Sequence, residues 1–453
     1  MKSSRLFSTR NGQALLCVFR NFSISTSRHR EKHYKLVVVG GGAGGCGVAA
    51  KFTGKLGTGN VAIIEPSLYH YYQPLWTLVG GGIYGMNKSM RPMDSVIPKD
   101  VDWIRARATA FDPDDSTVMC SNGELIKYDY MVVAMGIQVD LHKIKGLLEA
   151  LETDPAVTTN YASAYVAKSF PAIKDIRGGN VLFTYPTTPV KCPGAAQKIM
   201  YLTEDYLRKS HRRNGVNVQY NTALGVIFGV PRYAESLLKI VEKRNIDVDY
   251  KMNLEEIHSD RKEAVFRKLD SDTGETKTVK YSFLHVTPPM SAPDVIKQSP
   301  LSDKSGFLDV DKYTLQHSRY QNIFGIGDCT NLPTSKTAAG VASQSGVLRR
   351  NMTAVMEGNH VAQKEYTGYT SCPLVTGYGK CIMAEFGYDG IPMETFPLDQ
   401  SKERLSMYHM KKDVLPEIYW KFLVKGYWEG PGTYRKFMRL GMGHVTKPSE
   451  ARV

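Results

Sequence analysis

Residues 34–51 read YKLVVVGGGAGGCGVAAK. Leu36 to Val39 is a β-branched run of the kind that forms a buried parallel strand. Gly40, Gly42 and Gly45 follow as G-x-G-x-x-G, with Ala49 one helical turn further on. Glycine is needed because the strand must turn sharply, a pyrophosphate must approach the backbone and the helix must pack close to the strand. That helix aims its free N–H groups at phosphate oxygens. A second short strand, Val61 to Ile64, ends in Glu65, an acid placed to accept from a ribose hydroxyl. Strand, glycine turn, helix and acid together predict a dinucleotide site in an α/β protein. They do not choose between NAD and FAD.

The chain has 453 residues, enough for two or three domains, and a formal net charge of +14. Residues 1–30 hold Lys2, Arg5, Arg10, Arg20, Arg28 and Arg30 with no acid and many serines, the composition of a mitochondrial transit peptide. Residues 401–453 hold eleven Lys/Arg and five Asp/Glu, so the middle of the chain is nearly neutral. A nucleic-acid protein spreads its basic residues over a binding face, and this distribution argues against one. The seven cysteines show no C-x-x-C spacing and no neighbouring histidine in ligand register, so no metal is expected. Cys46, Cys120, Cys329 and Cys381 read as packing residues. No run of about 18 apolar residues is present, and no spanning helix is expected.

Tyr69 to Pro74 forms an aromatic loop. Residues 101–109 read as one strand, and Val118 to Ile126 as a hairpin turning at Asn122-Gly123. Tyr128 to Ala134 is a buried strand ending in Met135-Gly136. A second α/β unit begins at Gly178 to Tyr185, with partner strands predicted at 216–220, 246–250, 264–269 and 283–287 and helices at Ala195–Lys209 and Tyr233–Lys243. Ile323 to Gly327 returns to a strand, followed by a helix near 337–356. In the second unit the first strand runs into PTTPVKCPGAAQKIMYL, with no G-x-G-x-x-G. A turn lacking those glycines cannot admit a pyrophosphate, so NAD(P)H is not expected as electron donor. Cys192 stands there instead, between Lys191 and Pro193, where a helix start and a neighbouring cation favour thiolate. Cys372, between Ser371 and Pro373, is the second candidate.

The order of glycine loop, YDYMVVAMG and IFGIGDCT resembles the two-dinucleotide-domain flavoproteins that include glutathione reductase. More closely, residues from Tyr34 to about Gly443 resemble the mitochondrial sulfide:quinone oxidoreductases. That resemblance rests on TPVKCPGAAQKIMYL, LHVTPPM, GIGDCTNLPTSKTAA, GYTSCPLVTGY and DQSKERLSMY. It implies two Rossmann-like domains: a discontinuous FAD domain at 31–150 and 296–360, and a second at 151–295. A transit peptide at 1–30 and a membrane-associating region at 361–453 complete the division. It implies FAD as cofactor, with Gly40, Gly42, Ala43, Gly44 and Gly45 at the pyrophosphate and Glu65 at the ribose. Gln73 and Ala108 would lie along the AMP half, Gly136 beside it, and Asp328 and Ala338 near the ribityl chain and flavin ring. Cys192 and Cys372 would be the redox pair, with Lys198 near the flavin. The segment 157–161, VTTNY, lacks the third cysteine of bacterial relatives.

The implied activity is oxidation of hydrogen sulfide through the cysteine pair and FAD. Sulfur would pass to a small thiol or sulfite and electrons to ubiquinone, at the matrix face of the mitochondrial inner membrane. Val414, Leu415, Ile418, Tyr419, Phe422 and Leu423 follow helical spacing, with Glu417, Lys421 and Lys425 on the other side. A second segment at 433–442 mixes aromatic and cationic residues, a pattern that suits insertion beside anionic lipid. Alternative readings are a type II NADH:quinone dehydrogenase, a flavocytochrome-type sulfide dehydrogenase and a redox-inactive FAD-binding scaffold.

Overall fold

The computed structural model describes residues 31–440, so the predicted transit peptide lies outside the described residues. Two separate β-sheets organise the chain. The first has seven strands. Strand Glu31–Val39 lies at its centre, parallel to Val61–Ile64 on one side and to Leu125–Val133 on the other. Leu36, Val37, Val38, Ala62 and Ile63 are fully buried, as expected of strands covered on both faces. The far edge of Leu125–Val133 is shared. Its first half pairs with the hairpin strand Thr117–Cys120, and its second half takes the returning strand Ile323–Gly325 in parallel. The glycine loop and the Asp328 loop thereby leave the sheet at the same carboxyl ends, where α/β sheets bind ligands.

The second sheet is fully parallel, in the order Val157–Thr158, Phe283–His285, Gly179–Tyr185, Val216–Thr222, Ile246–Tyr250. Helices Ala195–Lys209 and Pro231–Lys243 pack on it. A hairpin of Thr370–Gly377 and Lys380–Phe386 brings Cys372 against helix Ala195–Lys209.

Three sequence expectations change. Residues 101–109 are two strands, Asp102–Ile104 and Ala108–Asp112, at opposite edges of the first sheet. The chain turns at Ala106, whose N–H returns to the Ile104 carbonyl, and period-2 burial cannot reveal such a break. Strand Glu263–Lys268 does not join the parallel sheet. It lies between Met252–His258 and Thr276–Lys280 in a separate antiparallel sheet, because its buried residues Ala264 and Phe266 face a different cluster.

The third change concerns the tail. Residues 405–423 form a nearly continuous helix of α and π turns. Its apolar face packs largely on the body: Tyr419, Trp420, Leu423 and Val424 are buried, while Val414 and Phe422 stay exposed. Lys421 pairs with Glu417 at 2.7 Å, but Lys425 reaches toward the Ser95 and Val96 carbonyls rather than continuing that polar stripe. Among the described residues no helix is long and apolar enough to cross a membrane.

Candidate active site

The two sheets and the tail enclose one long cavity of about 610 Å³. The glycine loop forms one end. A Cβ on Gly45 would overlap the Gly40 carbonyl oxygen, so only glycine lets the helix start this close to the strand. Helix Ala43–Leu56 has Gly42 at its N-cap and no capping side chain, which leaves first-turn N–H groups without an internal acceptor. A Cβ on Gly42 would meet nothing within 4 Å. The loop is a cradle with room above it.

Glu65 lines this end, its carboxylate accepting from the Gly41 N–H at 2.8 Å and the Ser67 N–H at 2.7 Å. Each oxygen retains a lone pair for a hydroxyl. Gln73, Gly136, Asp328 and Ala338 also line the cavity. Ala108 does not. It is buried in strand Ala108–Asp112, opposite Cys120, and the sheet break at Ala106 carries it away. Cys46, Cys120, Cys329 and Cys381 are buried, and burial raises each thiol, Cys46 and Cys381 to about 12 and Cys120 and Cys329 to about 11.

Cys192 lines the other end, and the buried Cys372, 180 residues later in sequence and not itself on the cavity wall, meets it with the sulfurs 3.8 Å apart. Both are free thiols. Cys192 lies just before helix Ala195–Lys209 in the left-handed region, at φ 49°, a costly conformation for a side chain with a Cβ. Its N–H donates to the Lys336 carbonyl at 2.8 Å and its carbonyl accepts from Ala195, which together hold that conformation. Gly194 makes the approach possible: a Cβ there would stand 2.6 Å from the Cys372 sulfur and 2.5 Å from Leu374.

Lys198, one turn into the helix and 3 % exposed, places its ammonium 3.1 Å from the Cys192 sulfur. The hydrogen bond from the Cys372 thiol and this ammonium hold Cys192 well below the usual thiol range, overcoming burial. As the donor of that hydrogen bond, and buried, Cys372 titrates well above it. Burial alone would lower Lys198, but the two sulfurs raise it above the ordinary lysine value. The pair is polarised, with Cys192 held low and Cys372 held high.

Two site residues went unread in the sequence. Lys411 is 2 % exposed, donates to the Pro74 carbonyl at 2.8 Å, and is lowered to about 8 by burial and by Lys198. Its signal was present, because positions 411, 414, 415 and 418 share one helical face and a lysine interrupts that apolar stripe. His70 is buried, donating from Nδ1 to the Gly41 carbonyl at 2.9 Å and accepting at Nε2 from the Tyr419 hydroxyl at 2.5 Å. The tail helix is thus tied to the glycine loop through one histidine. No local pattern announces that link.

Residues 34–169 match the family model described as pyridine nucleotide-disulphide oxidoreductase. The chain is 53 % identical over 412 residues to the mitochondrial sulfide:quinone oxidoreductase of Mus musculus, covering 91 % of each. It is 46 % identical over 402 residues to the mitochondrial enzyme of that name from Dictyostelium discoideum, covering 88 % of each. The X-ray structure of the sulfide:quinone oxidoreductase from Aquifex aeolicus superposes with a TM-score of 0.75 at 20 % identity, covering 91 % of this chain and 95 % of that one. The last comparison establishes a shared fold.

Proposed function

Since the chain belongs to the mitochondrial sulfide:quinone oxidoreductase family, we propose that Cys192 and Cys372 are the pair through which sulfide enters its reaction. The reaction is oxidation of sulfide with a quinone as electron acceptor, and the cofactor is FAD. The carrying observation is the Cys372–Cys192–Lys198 array at one end of a cavity whose other end is the glycine cradle.

The residues present fit FAD. The cradle has the first-turn N–H groups of Ala43, Gly44 and Gly45 for the pyrophosphate, with Gly40 and Gly42 forming the turn before them, where the Gly40 N–H itself donates to the Ile64 carbonyl at 2.9 Å. Glu65 has free lone pairs for a ribose hydroxyl, and Asp328 and Ala338 line the middle of the cavity. FAD, when bound, supplies a two-electron sink between the cysteine pair and the quinone. Hydrosulfide attacks a Cys192–Cys372 bridge at the Cys372 sulfur, which leaves a persulfide on Cys372 and releases Cys192 as thiolate. A good leaving group here is a low-pKa thiol, and the Lys198 ammonium provides one by pairing with the released charge. The outer sulfur on Cys372 then passes to a small nucleophile, a thiol or sulfite, releasing Cys372 as thiolate; the two cysteines, unbridged at 3.8 Å in this structure, would re-form the bridge by giving two electrons to the bound cofactor. Lys411 adds a second buried cation on the same side.

The quinone is ubiquinone, reached from the matrix face of the inner membrane. Exposed Phe422, Tyr427, Tyr434, Phe437 and Leu440, with Lys421 and Lys436 among them, support docking of the tail on an anionic lipid surface. Val414, Leu415, Ile418 and Leu423 line the cavity from that side and support entry of a lipid-soluble quinone between tail and body.

The test is direct. Cys192→Ser and Cys372→Ser proteins that keep their yellow flavin should no longer be bleached by sulfide under anaerobic conditions. Bleaching at the unmodified rate in either one refutes the assignment. NADH should bleach none of them.

A further inference from the structure

We infer that the cavity-facing side of the hairpin Thr370–Gly377 and Lys380–Phe386 seats the quinone headgroup. The Ser371 hydroxyl is the donor to a quinone oxygen, and Glu385 is the positioning residue behind it. The inference rests on the sulfide:quinone reading given above and names where its electron acceptor binds.

The hairpin is a partition. Its register pairs Ser371 with Glu385 and Pro373 with Met383, and in alternation with these Cys372 with Ala384 and Leu374 with Ile382. Successive side chains of a strand point to opposite faces, so the two sets separate. Cys372, Leu374, Ile382 and Ala384 join the apolar cluster of the second sheet and its helices. Ser371, Pro373, Met383 and Glu385 all line the cavity, and none of the other four does.

The cavity side is built around one carboxyl group. Glu385, 4 % exposed, accepts from the Tyr369 hydroxyl, from the Thr395 N–H at 2.7 Å and hydroxyl at 2.8 Å, and from the Gln400 amide at 2.8 Å. Its four acceptor sites are filled, so Glu385 has none left for a ligand and acts by holding its neighbours. Gln400 accepts in turn from the Phe396 N–H at 2.8 Å. Glu385 thereby fixes Tyr369 and Phe396, two rings from separate segments that both line the cavity. Burying a carboxyl group is costly, and an apolar residue of similar shape would close the sheet at less cost.

Ser371 stands opposite Glu385 but outside its network. Among the described residues its hydroxyl has only the Met383 thioether as partner, at 3.8 Å, and a thioether is a weak acceptor. The residue keeps 8 % of its surface, twice that of Glu385 or Tyr369. Apolar walls with one available hydroxyl match a neutral ring that carries carbonyl oxygens. Hydrosulfide needs a cation, and Lys198 supplies one from the helix packed against the opposite face of the hairpin. The tail closes the quinone side. Arg435 lies over the Tyr369 ring, 4.5 Å from its centroid, and Tyr434 lines the cavity while 58 % exposed. The seat thus reaches the surface beside the helix Gly432–Met438, the side from which a lipid-soluble acceptor comes.

The experiment uses the FAD-loaded full chain with Ser371→Ala and with Glu385→Gln. Each oxidised protein is titrated with a short-tailed ubiquinone, reading the shift of the flavin band. Each is also assayed for quinone KM and for anaerobic bleaching by sulfide alone. Ser371→Ala should raise the quinone Kd and KM roughly threefold to tenfold, the worth of one neutral hydrogen bond. Glu385→Gln should raise both by at least as much, because Tyr369 and Phe396 lose their common anchor. Bleaching by sulfide should change far less in either, which general damage to the hairpin would not spare. If Ser371→Ala moves neither Kd nor KM, or slows bleaching by the same factor, the inference is overturned. An unmoved quinone KM in Glu385→Gln overturns the positioning role. Should Glu385→Gln fail to fold, Tyr369→Phe, which keeps the ring and frees one side of the carboxyl group, takes its place with the same readings. Failure of the unsubstituted chain to pass electrons from sulfide to the quinone is a different outcome and refutes the reading beneath the inference.

Discussion

The ammonium of Lys198 lies 3.1 Å from the sulfur of Cys192, six residues earlier, although a strained turn and a helix start separate them. The contact replaces water around a buried thiolate with one fixed charge. Lys198→Met should therefore slow sulfide-driven flavin bleaching by roughly 10–100-fold, the worth of a charge-assisted hydrogen bond. Alkylation of Cys192 by iodoacetamide should become strongly pH-dependent, rising toward the ordinary thiol range. In the unsubstituted chain it stays fast into the acid range, because Cys192 titrates well below that range. Identical alkylation profiles for the two proteins would remove Lys198 from the mechanism.

Gly194→Ala tests the close approach of the cysteine pair. The added methyl would sit 2.6 Å from the Cys372 sulfur, so one sulfur must give way. The expected protein folds and binds FAD but forms the Cys192–Cys372 bridge poorly. Mass spectrometry after mild oxidation should find both thiols open to alkylation.

Acid should weaken the fold through His70. Burial lowers its imidazole to about 4, so from about pH 6.5 down to 4 the unfolded chain binds a proton that the native chain does not. Stability then rises with pH across that window. At about 1.4 kcal/mol per pH unit the contribution lost on acidification to pH 4 is about 3 kcal/mol. His285, lowered to about 3, acts in the same direction. Melting temperature against pH for His70→Gln should show a shallower acid limb than the unsubstituted chain. An unchanged limb would mean that His70 is not buried as a neutral ring.

Removal of the tail should do more than release a membrane contact. A chain ending at Lys411 loses Tyr419, Trp420, Leu423 and Val424, all buried. At about 1.5–3 kcal/mol each, their loss approaches the whole stability of a typical domain, about 5–15 kcal/mol. The truncated chain should aggregate or lose FAD. The membrane role is tested instead by Phe422→Glu with Phe437→Glu, both exposed. That protein should keep its melting temperature and flavin while its sedimentation with anionic vesicles falls severalfold.

The motifs that were readable in the chain are those in which chemistry depends on neighbours in sequence. Gly40, Gly42 and Gly45 with Glu65 encode a turn, a helix start and an acid within one supersecondary unit, and the structure joins them as that pattern requires. Lys191-Cys192-Pro193 marked a candidate thiol in the same way, although the cation that reaches the Cys192 sulfur is Lys198 and not Lys191. The break at Ala106 and the separate sheet of Glu263–Lys268 were not readable, because alternation of burial looks alike in any sheet. The tail pattern marked a real apolar face, but periodicity cannot say whether lipid or protein covers it.

The sequence by itself determined the α/β class, the dinucleotide loop, the absence of a second glycine fingerprint and the identity of two candidate cysteines. The sequence favoured thiolate at Cys192, but only the tertiary structure set the two cysteines apart, Cys192 held low and Cys372 held high. That asymmetry is set by the contact between the two sulfurs and by the Lys198 ammonium on Cys192, contacts a chain acquires only when distant segments pack. The same holds for His70 and Tyr419, 349 residues apart. Local backbone preferences act over a few residues, whereas the electrostatics of a buried site is a sum over whatever the fold brings near.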